Sequence, residues 1–361
     1  MRTSLPAFVI LGTVMAAAWA VPEAGAGARP IVIAHRGASG ERPEHTLEAY
    51  RLAIEQGADF VEPDLVATKD GVLVCRHENE ISGTTDVASR PEFGSRRATK
   101  TIDGIAVNGW FTEDFTLAEL RTLRARQRLP QLRGVAFDGR LEVPTFEEVL
   151  GLVASANARP ERRGQPVGVY PETKHPSYFE ELGLPLEKPL LEALRRHGLD
   201  RTDSPAFIQS FEVSNLRALA RLTQVPLVQL IDAAGRPWDF RHGRFHRTYA
   251  DMIRPDGLRE IAAYARGIGV HKSLVVPRDA HGRSLPPTTL VRDAHAAGLL
   301  VHVWTLRAEN EFLPAEFRRG ADPAAAGDMA GETRLFVRAG VDGFFTDHPA
   351  IALRAREPLR P

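Results

Sequence analysis

Short apolar runs alternate with helix-type patterns along most of the chain, and this alternation limits the possible folds more than any other feature of the sequence. Candidate helices such as TLEAYRLAIEQG and PTFEEVLGLVASA lie between the runs. Strands that alternate with helices are typical of βαβ units and a parallel sheet. About eight such repeats favour a TIM-like (β/α)8 barrel over an open sheet, and the chain is therefore predicted to be α/β. The predicted strands are IVIAHRG, DFVEPDL, VLVCRHE, VGVYPETK, AFIQSF, PLVQLID, SLVVP, LLVHVWTL and DGFFTDHP.

One segment, residues 82–143, lacks this alternation and is predicted to be an insertion after an early strand. Barrels tolerate insertions at the catalytic face, where loops vary without disturbing the core. No flexible linker separates the segment from its surroundings. We therefore expect residues 29–361 to form one barrel domain that contains the insertion.

The N-terminal segment, residues 1–28, resembles a secretory signal peptide. Arg2 precedes an apolar stretch from Leu5 to Ala20, which small residues follow. The alternative is a retained membrane anchor, but a span needs roughly 20 apolar residues. We expect cleavage, a secreted or periplasmic protein, and no stable membrane insertion.

Composition excludes several classes of function. Lys+Arg and Asp+Glu both number 46, so no basic excess attracts nucleic acid. The single cysteine, Cys75, lies in an apolar run and is predicted to be a buried hydrophobe. The chain has no GxSxG nucleophile elbow and no P-loop, and His242 and His246 lack an HExxH context and are predicted to lie on a surface loop.

Polar side chains are concentrated where the predicted strands end, and a barrel carries its active site at that rim. Glu62 and Asp64 stand two residues apart in one strand, and Glu172 and Lys174 repeat this spacing in another. Residues i and i+2 of a strand point the same way, so each pair is expected to face inward. Pro63 lacks an N–H group and indicates a strand end or irregularity.

Carboxylates from Glu62, Asp64 and Glu172 would repel one another in a single rim and raise some of their pKa values. A divalent cation resolves this conflict, and oxygen-only ligands favour calcium or magnesium over zinc. The sequence therefore predicts a metal site formed by these three residues.

Cationic and imidazole side chains complete the predicted site. Arg36 and Lys174, with one dication and three carboxylates, leave a charge of about +1, which suits a phosphodiester anion. His35 and His77 follow apolar strands. Cleaving a P–O bond needs one proton removed and another donated, and histidine does both near neutral pH. Each residue alone is ordinary, but together they predict catalysis.

Several long motifs, in order, resemble glycerophosphodiester phosphodiesterases of the secreted bacterial type. They include AHRGASGERPEHTLEAY, FVEPDLVATKDGVLVCRHENE, VYPETKHPSYF, FIQSFE, HVWTLR and GVDGFFTDHP. The resemblance implies a TIM-like barrel and hydrolysis of small glycerophosphodiesters to sn-glycerol 3-phosphate and an alcohol, with Ca²⁺ as the cofactor in preference to Mg²⁺. It also implies the role of each site residue: His35 and His77 as the acid/base pair, Glu62, Asp64 and Glu172 as metal ligands, Arg36 and Lys174 on the phosphate, and Phe211 and Trp304 against the glycerol or alcohol.

Several alternatives stay open at this point. The sequence around His271 leaves the preferred alcohol undetermined, and Asp347 and His348 either touch the site or make structural hydrogen bonds. The nucleophile is water or the substrate's own hydroxyl, and neither histidine is assigned as acid or base. Rival functions are a lipid or teichoic acid phosphodiesterase on the same barrel, and a non-catalytic binder of phosphoglycerol compounds.

Overall fold

The computed structural model describes residues 29–162, 164–240 and 247–357. The predicted signal segment, residues 1–28, and the two histidines His242 and His246 lie outside these ranges.

The strands of the described chain fall into a large sheet and a separate hairpin. Their bounds are β1 (Ile31–His35), β2 (Phe60–Glu62), β3 (Asp64–Ala67), β4 (Leu73–Cys75), β5 (Ala98–Ile102), β6 (Ile105–Gly109), β7 (Gly168–Val169), β8 (Glu172–Thr173), β9 (Ile208–Ser210), β10 (Leu227–Ile231), β11 (Gly267–His271), β12 (Leu300–Leu306) and β13 (Gly343–Thr346).

The large sheet closes into a barrel of eight parallel positions. Pairing runs from β1 through β2, β7, β9, β10, β11, β12 and β13, and β13 returns to β1. At two of the eight positions the strand is interrupted: β2 and β3 together form one position, and β7 and β8 together form the next. The predicted (β/α)8 barrel is therefore confirmed.

Most helices follow barrel strands and cover the outside of the barrel. The helix bounds are α1 (Leu47–Gln56), α2 (Leu117–Leu120), α3 (Pro130–Arg133), α4 (Phe146–Asn157), α5 (Pro176–Glu181), α6 (Glu187–Arg196), α7 (Val213–Leu219), α8 (Tyr249–Met252), α9 (Pro255–Ile261), α10 (Leu290–Ala296), α11 (Met329–Arg338) and α12 (Pro349–Arg356). Helices α2 and α3 belong instead to the segment between β4 and α4. No helix within the described ranges is long and apolar enough to cross a membrane.

Local sequence explains where the principal helices begin and end. Thr46 caps α1 by accepting a hydrogen bond from the Ala49 N–H, and Gly57 ends it in the left-handed conformation at φ 99°. Thr145 and Glu148 form a capping box at the start of α4. Such caps satisfy backbone donors that a helix terminus leaves without partners.

Aromatic side chains fill the barrel interior below the rim. Phe60, Tyr170, Phe207 and Phe345 are buried there, and Tyr170 stacks on Phe207 at 4.9 Å between ring centroids. His302 shares this layer and forms a 2.8 Å hydrogen bond with the Tyr170 hydroxyl. The layer supports the polar residues of the rim from beneath.

Residues 82–143 lie between β4 and α4 and add no strand to the barrel. They contain the β5–β6 hairpin, α2 and α3. Strand β4 itself pairs antiparallel with β3, outside the ring of eight. The segment therefore lies on the connection that leaves the second barrel position, at the end where the site is found.

One predicted strand was wrong. The run SLVVP overlaps a short 3₁₀ helix, Lys272–Leu274, and forms no strand, and the sixth barrel strand is β11, whose sequence GIGVH was not predicted as a strand. A Cβ added to Gly269 would lie 2.6 Å from the Leu230 side chain. The strand is glycine-rich because larger neighbours occupy that space, and so its apolar signal is weak.

Candidate active site

Three carboxylates converge at the rim of the barrel. One oxygen atom from each of Glu62, Asp64 and Glu172 lies within 4.8 Å of the others, and all three residues are buried. Pro63 breaks the strand between the first two residues, and Asp64 pairs with Glu172 across to the next strand. The strand irregularity predicted at Pro63 thus places both neighbouring carboxylates in one cluster.

Burial and mutual repulsion perturb this cluster. Burial, together with the charges of Asp64 and Glu172, raises the pKa of Glu62 well above its ordinary value. Burial also raises the pKa of Glu172 to about 8. Burial acts in the same direction on Asp64, but the charges of Lys174 and Arg36 and the hydrogen bond with His45 together outweigh it and hold the pKa of Asp64 well below its ordinary value. The neighbouring cationic side chains therefore do not fully compensate the charge of three ionised carboxylates.

Oxygen atoms in the cluster have the properties of ligands for a hard cation. Asp64 Oδ1 and Gln209 Oε1 are buried without a hydrogen-bond partner. Gln209 is placed beside the cluster by its Nε2, which donates to Glu62 Oε1 at 3.2 Å. Buried oxygens that lack donors are costly unless a ligand or ion satisfies them. The residues fit a divalent cation such as calcium or magnesium.

Arg36 and Lys174 supply positive charge beside the carboxylates. The Arg36 backbone, at φ 60°, donates from its N–H to Glu62 Oε2 at 2.9 Å. Its guanidinium lies 3.2 Å from Asp64 Oδ2 and donates to Glu44 Oε2 at 3.0 Å. Lys174 Nζ donates to Glu172 Oε1 at 2.7 Å. Both cationic side chains therefore lie beside the carboxylate cluster, where they could bind an anion.

His35 lies at the end of β1, with its side chain only 12% exposed. Its Nδ1 is 2.6 Å from Asp347 Oδ1. Burial, reinforced by the Arg36 charge, lowers the pKa of His35 to about 4. Arg307 and Arg133 outweigh the effect of burial and hold the pKa of Asp347 well below its ordinary value. The pair at neutral pH is therefore a neutral imidazole and an ionised carboxylate.

His77 lies beyond β4 and makes a similar contact. Its Nδ1 is 2.5 Å from Glu78 Oε1, and its side chain is 31% exposed. Burial and the charges of Arg36 and Lys174 lower the pKa of His77 below its ordinary value. Both imidazoles thus have Nδ1 on a carboxylate and line the same cavity.

The cavity above the cluster has a volume of about 760 Å³. Phe211 and Trp304 line it and meet edge to face, with ring centroids 5.9 Å apart. His271 packs against Trp304 at 4.9 Å between centroids. The structure therefore brings all nine predicted site residues to one rim: His35, Arg36, Glu62, Asp64, His77, Glu172, Lys174, Phe211 and Trp304.

Other residues at the site were not identified from sequence. Gln209 is the central residue of its strand, and Glu78 directly follows His77. Arg128 and Arg133 come from the insertion, and only their contacts with carboxylates reveal them. Asp347 does touch the site, through His35, whereas the His348 Nδ1 accepts a structural hydrogen bond from the Ala308 N–H at 3.3 Å.

Comparisons with known proteins give a consistent result. Residues 35–351 match the model of the glycerophosphoryl diester phosphodiesterase family. A glycerophosphodiester phosphodiesterase of Arabidopsis thaliana is 38% identical over 88% of this chain and 84% of that protein. The Haemophilus influenzae enzyme of the same name is 30% identical over 88% and 87%.

Solved structures of similar fold point the same way. A putative glycerophosphoryl diester phosphodiesterase from Silicibacter pomeroyi has a TM-score of 0.63 at 21% identity, covering 94% of this chain and 95% of that one. A phosphodiesterase from Oleispira antarctica, solved with the product sn-glycerol-3-phosphate, has a TM-score of 0.57 at 22% identity, covering 90% and 96%. At these identities, the structures support the barrel fold.

Proposed function

The chain belongs to the glycerophosphoryl diester phosphodiesterase family, and from that membership we propose that it hydrolyses small glycerophosphodiesters to sn-glycerol 3-phosphate and an alcohol. One observation carries the proposal. Three buried carboxylates cluster at the barrel rim, beside a cavity that two cations and two imidazoles line. This is the set of groups that cleavage of a phosphodiester requires.

We propose calcium as the ion at this site, with magnesium as the second choice, because the resemblance to the family implies calcium. Glu62, Asp64 and Glu172 would hold it, since all three supply oxygen atoms within 4.8 Å of one another and the raised pKa values of Glu62 and Glu172 indicate that their charge is poorly compensated. When bound, the ion polarises phosphoryl oxygens and lowers the pKa of an attacking hydroxyl. Glu62 and Glu172 are then ionised, because a neighbouring dication favours the charged carboxylate.

Arg36 and Lys174 orient the phosphodiester. Both are paired with carboxylates in the structure, Arg36 with Glu44 and Lys174 with Glu172. The remaining N–H donors of the guanidinium and the ammonium are available to phosphate oxygens. Phe211 and Trp304 pack against the glycerol or the alcohol, because their faces cover apolar C–H surface beside the cations.

Proton transfer falls to the two imidazoles. A carboxylate only accepts hydrogen bonds, so Nδ1 of each histidine carries the proton and Nε2 has the free lone pair. One Nε2 removes a proton from the nucleophile, which is water or the substrate's glycerol hydroxyl. The other imidazole is protonated in the complex, where the phosphodiester charge raises its pKa, and it donates to the leaving oxygen.

Export is proposed on the sequence of residues 1–28 alone. The protein would then act outside the cytoplasm after removal of this segment. N-terminal sequencing of protein from cell fractions tests the proposal, since an intact Met1 in the cytoplasmic fraction would reject it.

Phosphorus NMR on deacylated phospholipids, with calcium or with excess chelator, tests the activity. We expect glycerophosphocholine to yield sn-glycerol 3-phosphate with calcium and to stay intact with chelator.

Replacing His35 or His77 by Ala is expected to lower the rate about 10²–10⁴-fold. Faster cleavage of the diacyl lipid or of a glycerol phosphate polymer would favour the rival substrates. Binding without product would indicate a non-catalytic protein.

A further inference from the structure

We propose that the insertion is a working part of the catalytic site, because Arg128 and Arg133 each hold one of the two histidines in position through a carboxylate. The inference rests on the proposed function in one respect, since it takes His35 and His77 as the proton-transfer groups. It adds two positioning residues from a segment outside the barrel, residues 128–133.

Arg133 acts on His35 through Asp347. Its NH2 donates to Asp347 Oδ2 at 2.6 Å, while the other oxygen of that carboxylate contacts His35 Nδ1 at 2.6 Å. The guanidinium is only 6% exposed and is held by two further contacts, with Glu309 Oε1 at 2.5 Å and the Ser39 carbonyl at 3.0 Å. These two contacts hold the Arg133 guanidinium in one place, and the guanidinium in turn holds Asp347.

Arg128 acts on His77 through Glu78. Its NH1 and NH2 donate to the two oxygens of Glu78 at 3.0 and 2.5 Å. The same guanidinium donates from Nε and NH2 to the two oxygens of Glu44, both at 2.7 Å. Glu44 also accepts from Arg36. Arg128 therefore holds both the carboxylate behind His77 and the carboxylate behind a phosphate-binding residue.

Arg128 and Glu78 form a bidentate pair, which fixes direction as well as distance. Asp347 is held additionally by Arg307, whose Nε donates to Oδ2 at 2.8 Å. Asp347 is held through the oxygen that faces away from His35, and Glu78 is held through both of its oxygens, so each carboxylate keeps a fixed direction toward one Nδ1. The partner of a histidine in turn sets the tautomer and the ring orientation. Both Nε2 atoms are therefore directed at the cavity.

A short rigid turn links the two arginines. Helix α3 begins at Pro130, and the Arg133 N–H donates to the Leu129 carbonyl at 3.0 Å. The Leu129 N–H donates to Gln127 Oε1, and the Gln127 N–H donates to Asp138 Oδ1. The turn holds Arg128 and Arg133 at a set separation, so that one segment of the insertion aligns both imidazoles.

Steady-state kinetics give the first test. Arg133→Gln should lower kcat about 10–100-fold with little change in KM, since loss of a partner behind a site residue typically costs this much. Arg128→Gln should lower kcat by a similar factor and also raise KM, because Arg36 loses its support through Glu44. The Lys variants should recover part of kcat. Arg126→Gln is the matched control, since Arg126 donates to the exposed Ser89 hydroxyl and should keep wild-type values.

Nitrogen NMR of the full-length, ¹⁵N-histidine-labelled protein in calcium gives the second test. His35→Asn and His77→Asn assign the two signals. In the wild type both residues should show a protonated Nδ1 and a free Nε2. Arg133→Gln should move only the His35 signal, and Arg128→Gln only the His77 signal, toward a mixture of tautomers.

The two readouts separate the possible failures. Unchanged histidine signals in both Gln variants would overturn the inference, even with reduced kcat, because the arginines would then be merely structural. Wild-type kcat in both variants would overturn it as well. If the wild type released no glycerol phosphate, the proposed function would fail, but the nitrogen signals would still decide whether the arginines position the histidines.

Discussion

Single ionisable residues at the rim have pKa values set by their burial and by a few named neighbours. His35 and His77 are both neutral near pH 7, because burial and the nearby cations disfavour a further positive charge. Glu62 and Glu172 have raised pKa values, because burial and adjacent carboxylates disfavour more negative charge. A bound phosphodiester would therefore compensate the positive charge around the two histidines, and a bound dication would compensate the negative charge of the carboxylates.

The pH dependence of kcat follows from the two imidazoles. The base must be neutral, and its lowered pKa places the acid limb below the ordinary histidine value of about 6.5. The acid must be protonated, so activity falls again above the pKa that the bound phosphodiester gives it. We expect a bell-shaped profile of initial rates at saturating substrate. A profile that stays flat from pH 4 to pH 9 would contradict opposite protonation states.

His302 predicts a separate pH effect on stability. Burial lowers its folded-state pKa to about 4, and unfolding restores the ordinary value. The unfolded state binds more protons between these values, so the contribution is complete above about pH 6.5 and lost as pH falls toward 4. His302→Gln should be less stable than wild type at pH 7.5, with a gap about 2 kcal/mol smaller at pH 5.0. Urea unfolding at the two pH values measures this, and a constant gap would refute it.

The sequence predicted those site residues that stand in a recognisable local spacing or motif. Glu62 and Asp64 share a strand face by spacing alone, and the resemblance to a family added Phe211 and Trp304. Gln209 gave no such signal, because its role depends on a contact with Glu62 that lies 147 residues away. Distances across the fold decide such roles, and spacing along the chain does not contain them.

Two interrupted strands define the site at the scale of secondary structure. The break at Pro63 divides one barrel position and the break at Tyr170–Pro171 divides the next. The Glu172 N–H donates to the Pro63 carbonyl at 2.9 Å, so the ladder resumes beyond both breaks. Proline cannot donate within a ladder and is confined to such irregular positions. The breaks therefore occur where the carboxylates must turn into the rim.

Glycines in the strands have a steric role that a substitution tests. A Cβ at Gly168 would lie 2.2 Å from the Phe60 ring, inside the aromatic layer, whereas one at Gly151 in α4 meets nothing within 4 Å. Gly168→Ala should lower the free energy of unfolding by about 1–3 kcal/mol through overpacking. Gly151→Ala is the control and should raise it by roughly 0.5–1 kcal/mol. Equal stabilities of the two variants in urea unfolding would contradict the packing of this layer.

Most helices and seven of the eight barrel positions could be predicted from the sequence, because their apolar periods are strong. The exception, β11, contains Gly267 and Gly269, which contribute no side chain to the pattern. A Cβ on Gly267 would lie 3.0 Å from the Leu300 carbonyl oxygen. Packing from adjacent strands determines this element, and the local sequence does not reveal it.

At the scale of the whole molecule, the carboxylate cluster spans neighbouring positions of the barrel. Calcium bound there should stabilise the folded state by mass action, about 2.7 kcal/mol at 100-fold above Kd. In chelator at pH 8, Glu62→Gln should melt at a higher temperature than wild type, because an amide replaces a carboxyl group whose ionisation is disfavoured by burial and by the charge of Asp64. Added calcium should raise Tm in the wild type and much less in the variant.

Thermal melts of both proteins with and without calcium measure this difference. Equal calcium-induced shifts in wild type and Glu62→Gln would show that the ion binds elsewhere.

Crystallography of the protein with calcium and sn-glycerol 3-phosphate tests the central claim most directly. We predict anomalous density for one ion between Glu62, Asp64 and Glu172, with the phosphate touching both the ion and Arg36. Nε2 of His35 and of His77 should lie within hydrogen-bond distance of phosphate oxygens. An ion bound away from these carboxylates, or imidazoles turned away from the phosphate, would contradict the account.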